Sequence, residues 1–406
     1  MFSRGIAMIK REEYLKKLIS FRDKDLIKVI TGIRRCGKST LFKLFQEYLI
    51  SCGVESEQII NINFEDLDYE YISNYRILYD YIKQKLHPNK KNYIFLDEIQ
   101  HVENFEKAVD SLYINKNVDL YIIGSNAFFL SGELATLLSG RYVEINMLPL
   151  SFKEYSSALP ENISLERKFS MYMENGGFPY LLNISEETDK IDYLKGIYNT
   201  IVLKDIVTRI KISDISILES IVKFMFDNVG NLTSAKKISD TLTSFGRKIT
   251  SPTVEKYLSA LVDAFILQKV SRYDISGKQY LKTTEKYYVT DLGLQRFLLN
   301  KNKLNLGHNL ENIVFLELIR RGYKVYIGKV GALEVDFIAE GFGYTTYYQV
   351  AYTLNTEEIL ARELKPLNSI KDHNPKYLLT ADITPEVSHN GIRQMNVIDW
   401  LLKPVL

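Results

Sequence analysis

The chain carries a run of residues with the types and spacing to hold a phosphate chain: Gly32, Ile33, Arg34, Arg35, Cys36, Gly37, Lys38 and Ser39, followed by Thr40. The run fits G-x-x-x-x-G-K-[ST]. Gly32 and Gly37 let the backbone curl so that successive N–H groups point inward at phosphate oxygens, and a helix beginning after the loop adds the positive end of its dipole. Lys38 then reaches the β and γ phosphates as a point charge, and the Ser39 hydroxyl holds Mg²⁺. Cys36 is either an oxidation-sensitive thiol or a small loop filler. A second pair, Asp97 and Glu98, follows the apolar run Tyr93–Leu96. At a strand exit beside a phosphate loop, Asp97 holds the metal through water and Glu98 polarises the attacking water. Two further candidates are weaker in pattern. Asn126 follows the apolar stretch Val118–Gly124 and is either a contact for the γ-phosphate or attacking water, or an ordinary turn residue. Arg141 follows a helical run closed by Gly140 and is either an arginine finger, in its own site or a neighbour's, or a surface ion pair.

The elements that must position these groups are legible from apolar periodicity. An apolar strand Leu26–Ile30 precedes the loop, and an amphipathic helix with Leu41, Leu44, Phe45 and Leu49 follows it. Further strands are expected at Ile59–Asn63, Tyr93–Leu96, Val118–Gly124 and Tyr142–Ile145, with helices between. This alternation predicts an α/β fold: a parallel sheet covered by helices, up to about residue 150, with nucleotide bound at the C-terminal strand ends. From Ser151 the pattern turns helical, broken at Gly176-Gly177-Phe178-Pro179. A long helix through Ile191–Ile212 carries Lys204, Asp205 and Arg209, a solvated face or a lid.

Between Ser216 and Asn300 the order is three helices and a hairpin, which is winged-helix order. The third helix is expected to be capped by Ser251 with Pro252 at its first position. Arg247, Lys248 and Lys256 lie on or near it, and Arg272, Lys278 and Lys282 on or near the hairpin, so both a DNA face and a protein-docking module are open readings. The last segment, 301–406, reads as helix, strands, helix and strand. Its Glu311 and Asp336 resemble the acidic ligands of metal-dependent nucleases of the PD-(D/E)xK type, but the third element reads Gln349, Val350, Ala351. Ala cannot serve as a cation and Gln is a poor Mg²⁺ ligand, so a degraded site is expected unless another lysine substitutes.

Composition narrows the class. With 406 residues and 46% hydrophobic content, the chain is long enough for two or three domains with real cores. Lys plus Arg number 52 against 50 Asp plus Glu, so nothing in the net charge argues for nucleic acid and any basic surface must be local. The only cysteines are Cys36 and Cys52, which excludes a disulfide framework and a cysteine-rich zinc site. No apolar run of about 18 residues occurs, and a cytoplasmic protein with no membrane partner is expected.

Taken together, GIRRCGKS at 32–39, FLDEIQ at 95–100, GSN at 124–126, LSGR at 138–141, PLSFKEY at 149–155 and GGFP at 176–179 resemble the prokaryotic AAA-type P-loop ATPases that end in a restriction-endonuclease-like domain of unknown function. The resemblance extends to ENIVFLEL at 311–318 and EVDF at 334–337. It implies ATP and Mg²⁺ as cofactors, with Lys38, Ser39, Asp97, Glu98, Asn126 and Arg141 at the Walker A, Walker B, sensor and arginine-finger positions. The domains expected are an ATPase domain at 1–150, a helical lid at 151–215, a winged helix at 216–300 and a small α/β nuclease-like domain at 301–406. A nucleotide-controlled switch coupled to double-stranded DNA is the leading expectation. The alternative is an ATP-locked scaffold with a protein client, and an ATP-regulated nuclease is the third. An oligomer is expected if Arg141 acts in trans.

Overall fold

The structure, a computed structural model, describes residues 8–124, 138, 140–207, 214–299 and 305–404. The chain forms two compact units, one built from the chain up to Leu148 together with Asp263–Phe265, the other from Pro149–Val262 and Ile266–Leu406.

In the first unit, helix α1 (Glu12–Phe21) precedes β1 (Ile27–Thr31), α2 (Lys38–Ser51), β2 (Ile59–Asn63), α3 (Tyr75–Lys85), β3 (Asn92–Asp97), α4 (Phe105–Tyr113), β4 (Val118–Ile123) and β5 (Tyr142–Asn146). The strands pair in parallel in the order β2-β3-β4-β1-β5. Because both faces of the sheet are covered, β1 and β3 are buried along their whole length, which is why they read as unbroken apolar runs rather than as alternation. On one face Phe42 and Phe45 of α2 pack edge-on against Phe95, which stacks on Tyr121. On the other, Ile27, Val29, Ile62, Ile94, Leu96 and Ile122 meet Leu78, Ile82, Val109 and Leu112 of α3 and α4. Strand order places β4 between the strand that feeds the phosphate loop and the strand that ends in Asp97. A gap of this kind beside a loop at the C-terminal strand ends is where α/β sheets bind ligands.

The second unit begins with α5 (Phe152–Ser157), whose start is fixed by a capping box between Ser151 and Glu154, then α6 (Leu165–Asn175) and α7 (Glu187–Asn199), which continues as a π-helical stretch Thr200–Val207. Arg209 and the side chain of Lys204 lie outside the described residues. Helices α8 (Ile215–Asp227), α9 (Ala235–Ser244) and α10 (Ser251–Asp263) and the hairpin β6 (Leu267–Asp274) with β7 (Gln279–Val289) follow in the expected order. Helix α10 already includes Ser251, the residue expected to cap it, and so starts one residue before the expected first position, Pro252. After α11 (Leu292–Leu299) and α12 (Leu306–Arg320) come β8 (Lys324–Val330), β9 (Leu333–Gly341), β10 (Tyr344–Ala351), α13 (Glu357–Asn368), β11 (Lys376–Thr380), β12 (Val387–His389), β13 (Ile392–Asn396) and α14 (Val397–Leu402).

The hairpin and the C-terminal strands form one sheet, β12-β13-β11-β10-β9-β8-β6-β7, joined by parallel pairing of Arg272, Tyr273 and Asp274 with Ile327, Gly328 and Lys329. The expected boundary at 300 therefore does not separate two sheets. Among the described residues no helix is long and apolar enough to cross a membrane.

Candidate nucleotide site

Strand β1 delivers the chain into the loop at Gly32, whose φ of 140° lies outside the range of an L side chain. A Cβ there would stand 2.1 Å from the carbonyl oxygen of Met147, so the loop needs glycine for space as well as for conformation. Gly37 leaves the loop with φ 104°, and α2 begins at Lys38. Lys38 is 5% exposed, and its Nζ donates to the carbonyls of Gly32 (2.9 Å) and Ile33 (3.1 Å). The ammonium is thus held inside the curl of the loop, where phosphate oxygens would compete for it. Cys36 is fully buried with its Sγ donating to Met147 O at 3.3 Å, which selects the loop-filler role over an accessible thiol.

Sequence patterns did not single out Arg11, yet it supports the loop from behind. Its buried guanidinium donates to Cys36 O at 2.7 Å and to Leu148 O at 2.6 Å. The signal was an arginine heading a helix, a common surface pattern. Only the return of the chain at Leu148 makes it internal.

Asp97 closes β3 and is 6% exposed. Burial holds its carboxyl above the ordinary carboxylate range; the Ser39 hydroxyl and Lys38 pull it down, and Glu98 pushes it up. Its Oδ1 is buried with no hydrogen-bond partner. A buried oxygen without a partner is costly, and one beside a hydroxyl at a phosphate loop suits a hard divalent cation with oxygen ligands. Ser39 and Asp97 therefore fit Mg²⁺. Glu98 is 8% exposed and takes a left-handed backbone, φ 54°, a conformation that costs a residue with a side chain about 1 kcal/mol and recurs at functional sites. Gln100 Nε2 donates to its Oε2. Glu98, Glu65 and His101 bring ligand atoms within 4.8 Å of one another, and Glu65 pairs at 3.2 Å with Arg34 of the loop.

Asn126 lies outside the described residues. Arg141 makes the surface ion pair that is one of its two readings. It immediately precedes β5 and its carbonyl accepts the Ile27 N–H at 2.8 Å, at the N-terminal end of β1 and so the far end of the sheet from the phosphate loop. Its guanidinium pairs with Asp110 and lies over the Tyr113 ring.

Residues 24–156 match the AAA domain family, and residues 166–305 match a domain of unknown function, DUF8612. An uncharacterized protein of Haemophilus influenzae is 43% identical over 403 residues, spanning 98% of this chain and 99% of its own. The chain belongs to the same family. A second member, an uncharacterized protein of Methanocaldococcus jannaschii, is 32% identical across 85% of this chain and 79% of its own. With the AAA match, the N-terminal unit is a AAA-type P-loop domain. Among solved structures, Aeropyrum pernix ORC1 in complex with DNA (13% identity, TM-score 0.30, 73% of this chain and 94% of that one) and AMPPCP-bound DnaA from Aquifex aeolicus (14%, 0.31, 64% and 89%) are distantly similar.

The remaining candidates of this family member lie in the second unit. Arg247 donates to Ser216 O (2.9 Å) and Oγ (3.0 Å), and Arg272 to Thr284 Oγ1 at 2.8 Å. Lys248 and Lys256 are exposed, Lys278 sits at the hairpin tip with φ 50°, and the Lys282 side chain lies outside the described residues. Glu311 on α12 and Asp336 on β9 do converge, and a lysine joins them from an unexpected element, Lys286 of β7. Gln349 is turned to other work: its Oε1 accepts from Asp336 N at 3.4 Å and its Nε2 donates to Glu363 at 3.1 Å.

Proposed function

We propose that the N-terminal unit binds ATP with Mg²⁺ and hydrolyses it. The observation that carries this reading is the meeting of Lys38 and Ser39 with Asp97, whose buried Oδ1 lacks a partner. In this reading the loop amides of Gly32–Gly37 cradle the phosphates, and Lys38 exchanges the Gly32 and Ile33 carbonyls for β and γ oxygens. Ser39 and Asp97 hold the metal, which when bound neutralises charge developing on the phosphates. Glu98, fixed at the end of β3, accepts a proton from the attacking water. Asn126 would contact the γ-phosphate or that water, and Arg141 would complete the site of a second copy.

The nucleotide state acts as a switch on the second unit, which contacts duplex DNA through Arg247, Lys248, Lys256 and Lys278. A second reading, a nucleotide-locked scaffold with a protein client, is favoured by one observation: Arg247 and Arg272 already spend guanidinium donors within the protein. Steady-state ATP turnover with and without duplex DNA at two salt concentrations separates the two. Phosphate contacts weaken steeply with salt, so stimulation that fades as salt rises supports DNA coupling, and slow turnover indifferent to DNA supports the scaffold. Lys38→Ala should abolish ATP binding, and Glu98→Gln should bind ATP but turn it over at least about a hundredfold more slowly. Equal turnover by wild type and Glu98→Gln would remove Glu98 from the mechanism.

A further inference from the structure

The second unit contains a buried charge cluster that the nucleotide chemistry does not use. Lys286 is 5% exposed at its side chain, and its Nζ lies 3.0 Å from Glu311 Oε1 and 2.8 Å from Glu334 Oε1. The Tyr288 hydroxyl donates to the same Glu311 oxygen at 2.5 Å. Glu334 and Asp336 alternate on β9 and so share one face of the strand. Asp336 is buried, and its Oδ2 accepts the Val350 N–H at 2.8 Å. Carboxylates from a helix and a strand thus converge around one ammonium.

The backbone around the cluster leaves Lys286 no alternative place. Strand β7 pairs with β6 on one side. On its other side the turn after α8 closes over it, with Gly230 N donating to Tyr287 O (3.0 Å) and Thr233 exchanging backbone bonds with Glu285 (2.9 and 3.1 Å). A Cβ on Gly230 would come within 3.5 Å of the Glu311 carboxylate, so this turn roofs the cluster directly. Burial works against the ammonium, but Glu311, Asp336 and Glu334 outweigh it and hold Lys286 protonated well beyond the ordinary lysine range.

We propose that Lys286 is the resident cation of this cluster, standing between Glu311 and Glu334 beside the buried Asp336 where a divalent ion would otherwise be drawn, so that the cluster excludes metal and anchors β7 to the C-terminal core. A divalent ion entering the wild-type cluster would meet a fixed positive charge about 3 Å from the Glu311 and Glu334 oxygens, which is unfavourable in a low-dielectric site. Removing Lys286 leaves converging carboxylates without a cation, the donor set a hard metal takes. The pocket is closed by β7 and the 230–233 turn, and it is a structural charge centre with no hydrolytic chemistry of its own.

The test is thermal unfolding without nucleotide, with and without about 1 mM MnCl₂, followed by emission of Trp400, the single tryptophan, which lies in this unit. Wild type should show no Mn²⁺ response that Glu311→Gln removes. Lys286→Ala should melt about 10 °C lower without metal and regain about 5 °C with it, and Lys286→Ala/Glu311→Gln should show no regain. An Mn²⁺-dependent rise in wild type that Glu311→Gln abolishes would overturn the proposal, as would a Lys286→Ala protein that neither loses stability nor gains a metal response. If Lys286→Ala does not fold, wild type against Glu311→Gln still decides: a metal response lost in Glu311→Gln refutes the proposal, and its absence from wild type supports it.

Discussion

Strand β1 buries a lysine in the middle of the AAA-type sheet, and its removal should have asymmetric consequences. Lys28 pairs with Asp119 of β4, with both side chains at most 2% exposed. Lys28 Nζ has one further acceptor, Lys24 O at 2.8 Å. Asp119 has two further donors, the Tyr121 hydroxyl at 2.8 Å and Asp23 N–H at 2.9 Å. Asp119→Ala therefore leaves an ammonium with a single carbonyl and also strands a buried hydroxyl and an amide. Orphaning a buried charge costs about 3–5 kcal/mol, and each lost acceptor adds about 1 kcal/mol, so the variant should lose about 5 kcal/mol or more. Lys28→Met leaves Asp119 with two good donors and fills much the same volume, so about 2–3 kcal/mol is expected.

The pH dependence has a defined sign. Burial lowers the Lys28 pKa, with Asp119 opposing it. A lysine titrating lower in the folded than in the unfolded state makes stability rise with pH between the two values. Loss of Asp119 widens that window, so the deficit of Asp119→Ala should shrink between pH 7 and about 9.5, below the unfolded lysine value. Urea denaturation followed by far-UV circular dichroism is the assay, because Trp400 lies in the other unit. Asp119→Ala costing less than Lys28→Met, or a deficit that grows with pH, would refute the reasoning.

Two more outcomes follow from close approaches in the backbone. Gly32→Ala should abolish nucleotide binding in filter-binding or fluorescent-nucleotide titrations, because its Cβ meets Met147 O at 2.1 Å, whereas Gly53→Ala, with open space around it, should bind normally and lose only about 1 kcal/mol to backbone strain. Asp291 is pushed up to about 7 by full burial, against backbone donors that include Gly177 (2.7 Å) and Gly293 (2.9 Å). A carboxyl raised in the folded state contributes stability that is present below about pH 4 and lost as pH rises toward 7. Asp291→Asn should therefore lessen the fall in melting temperature across that interval, and an unchanged pH profile would show that Asp291 does not titrate there.

The elements of the candidate nucleotide site were legible because its pattern is local. A glycine-lysine loop and a strand ending in Asp97 and Glu98 carry their meaning within a few residues, and the flanking apolar runs fixed the strands they sit on. Groups assembled by chain return were not legible. Arg11 becomes internal only when Leu148 comes back beside it, and Lys286 reads as one more charge in LKTTEKYY until α12 and β9 close over it. Which of Arg141's two readings the fold favours was not legible for the same reason. Its place before β5 was readable, but which end of the sheet that places it at depends on the parallel pairing with Ile27. The strands Val387–His389 and Ile392–Asn396 were missed because the first is mostly exposed and the second buries Gln394 and Asn396, so neither shows an apolar run. The segment at 176–179 was read as a helix-breaking turn. Gly176 and Gly177 are in addition seats for Asp291, which lies more than a hundred residues along the chain.

The strand junction between Arg272–Asp274 and Ile327–Lys329 bears on how this architecture can be divided. A fragment ending near residue 300 would keep β6 with one bare edge, and the complementary fragment would present β8 in the same condition. Unpaired, partly apolar edges of this kind recruit strands from other chains. Separately expressed halves should therefore be prone to association, and mixing them should restore solubility by re-forming the junction.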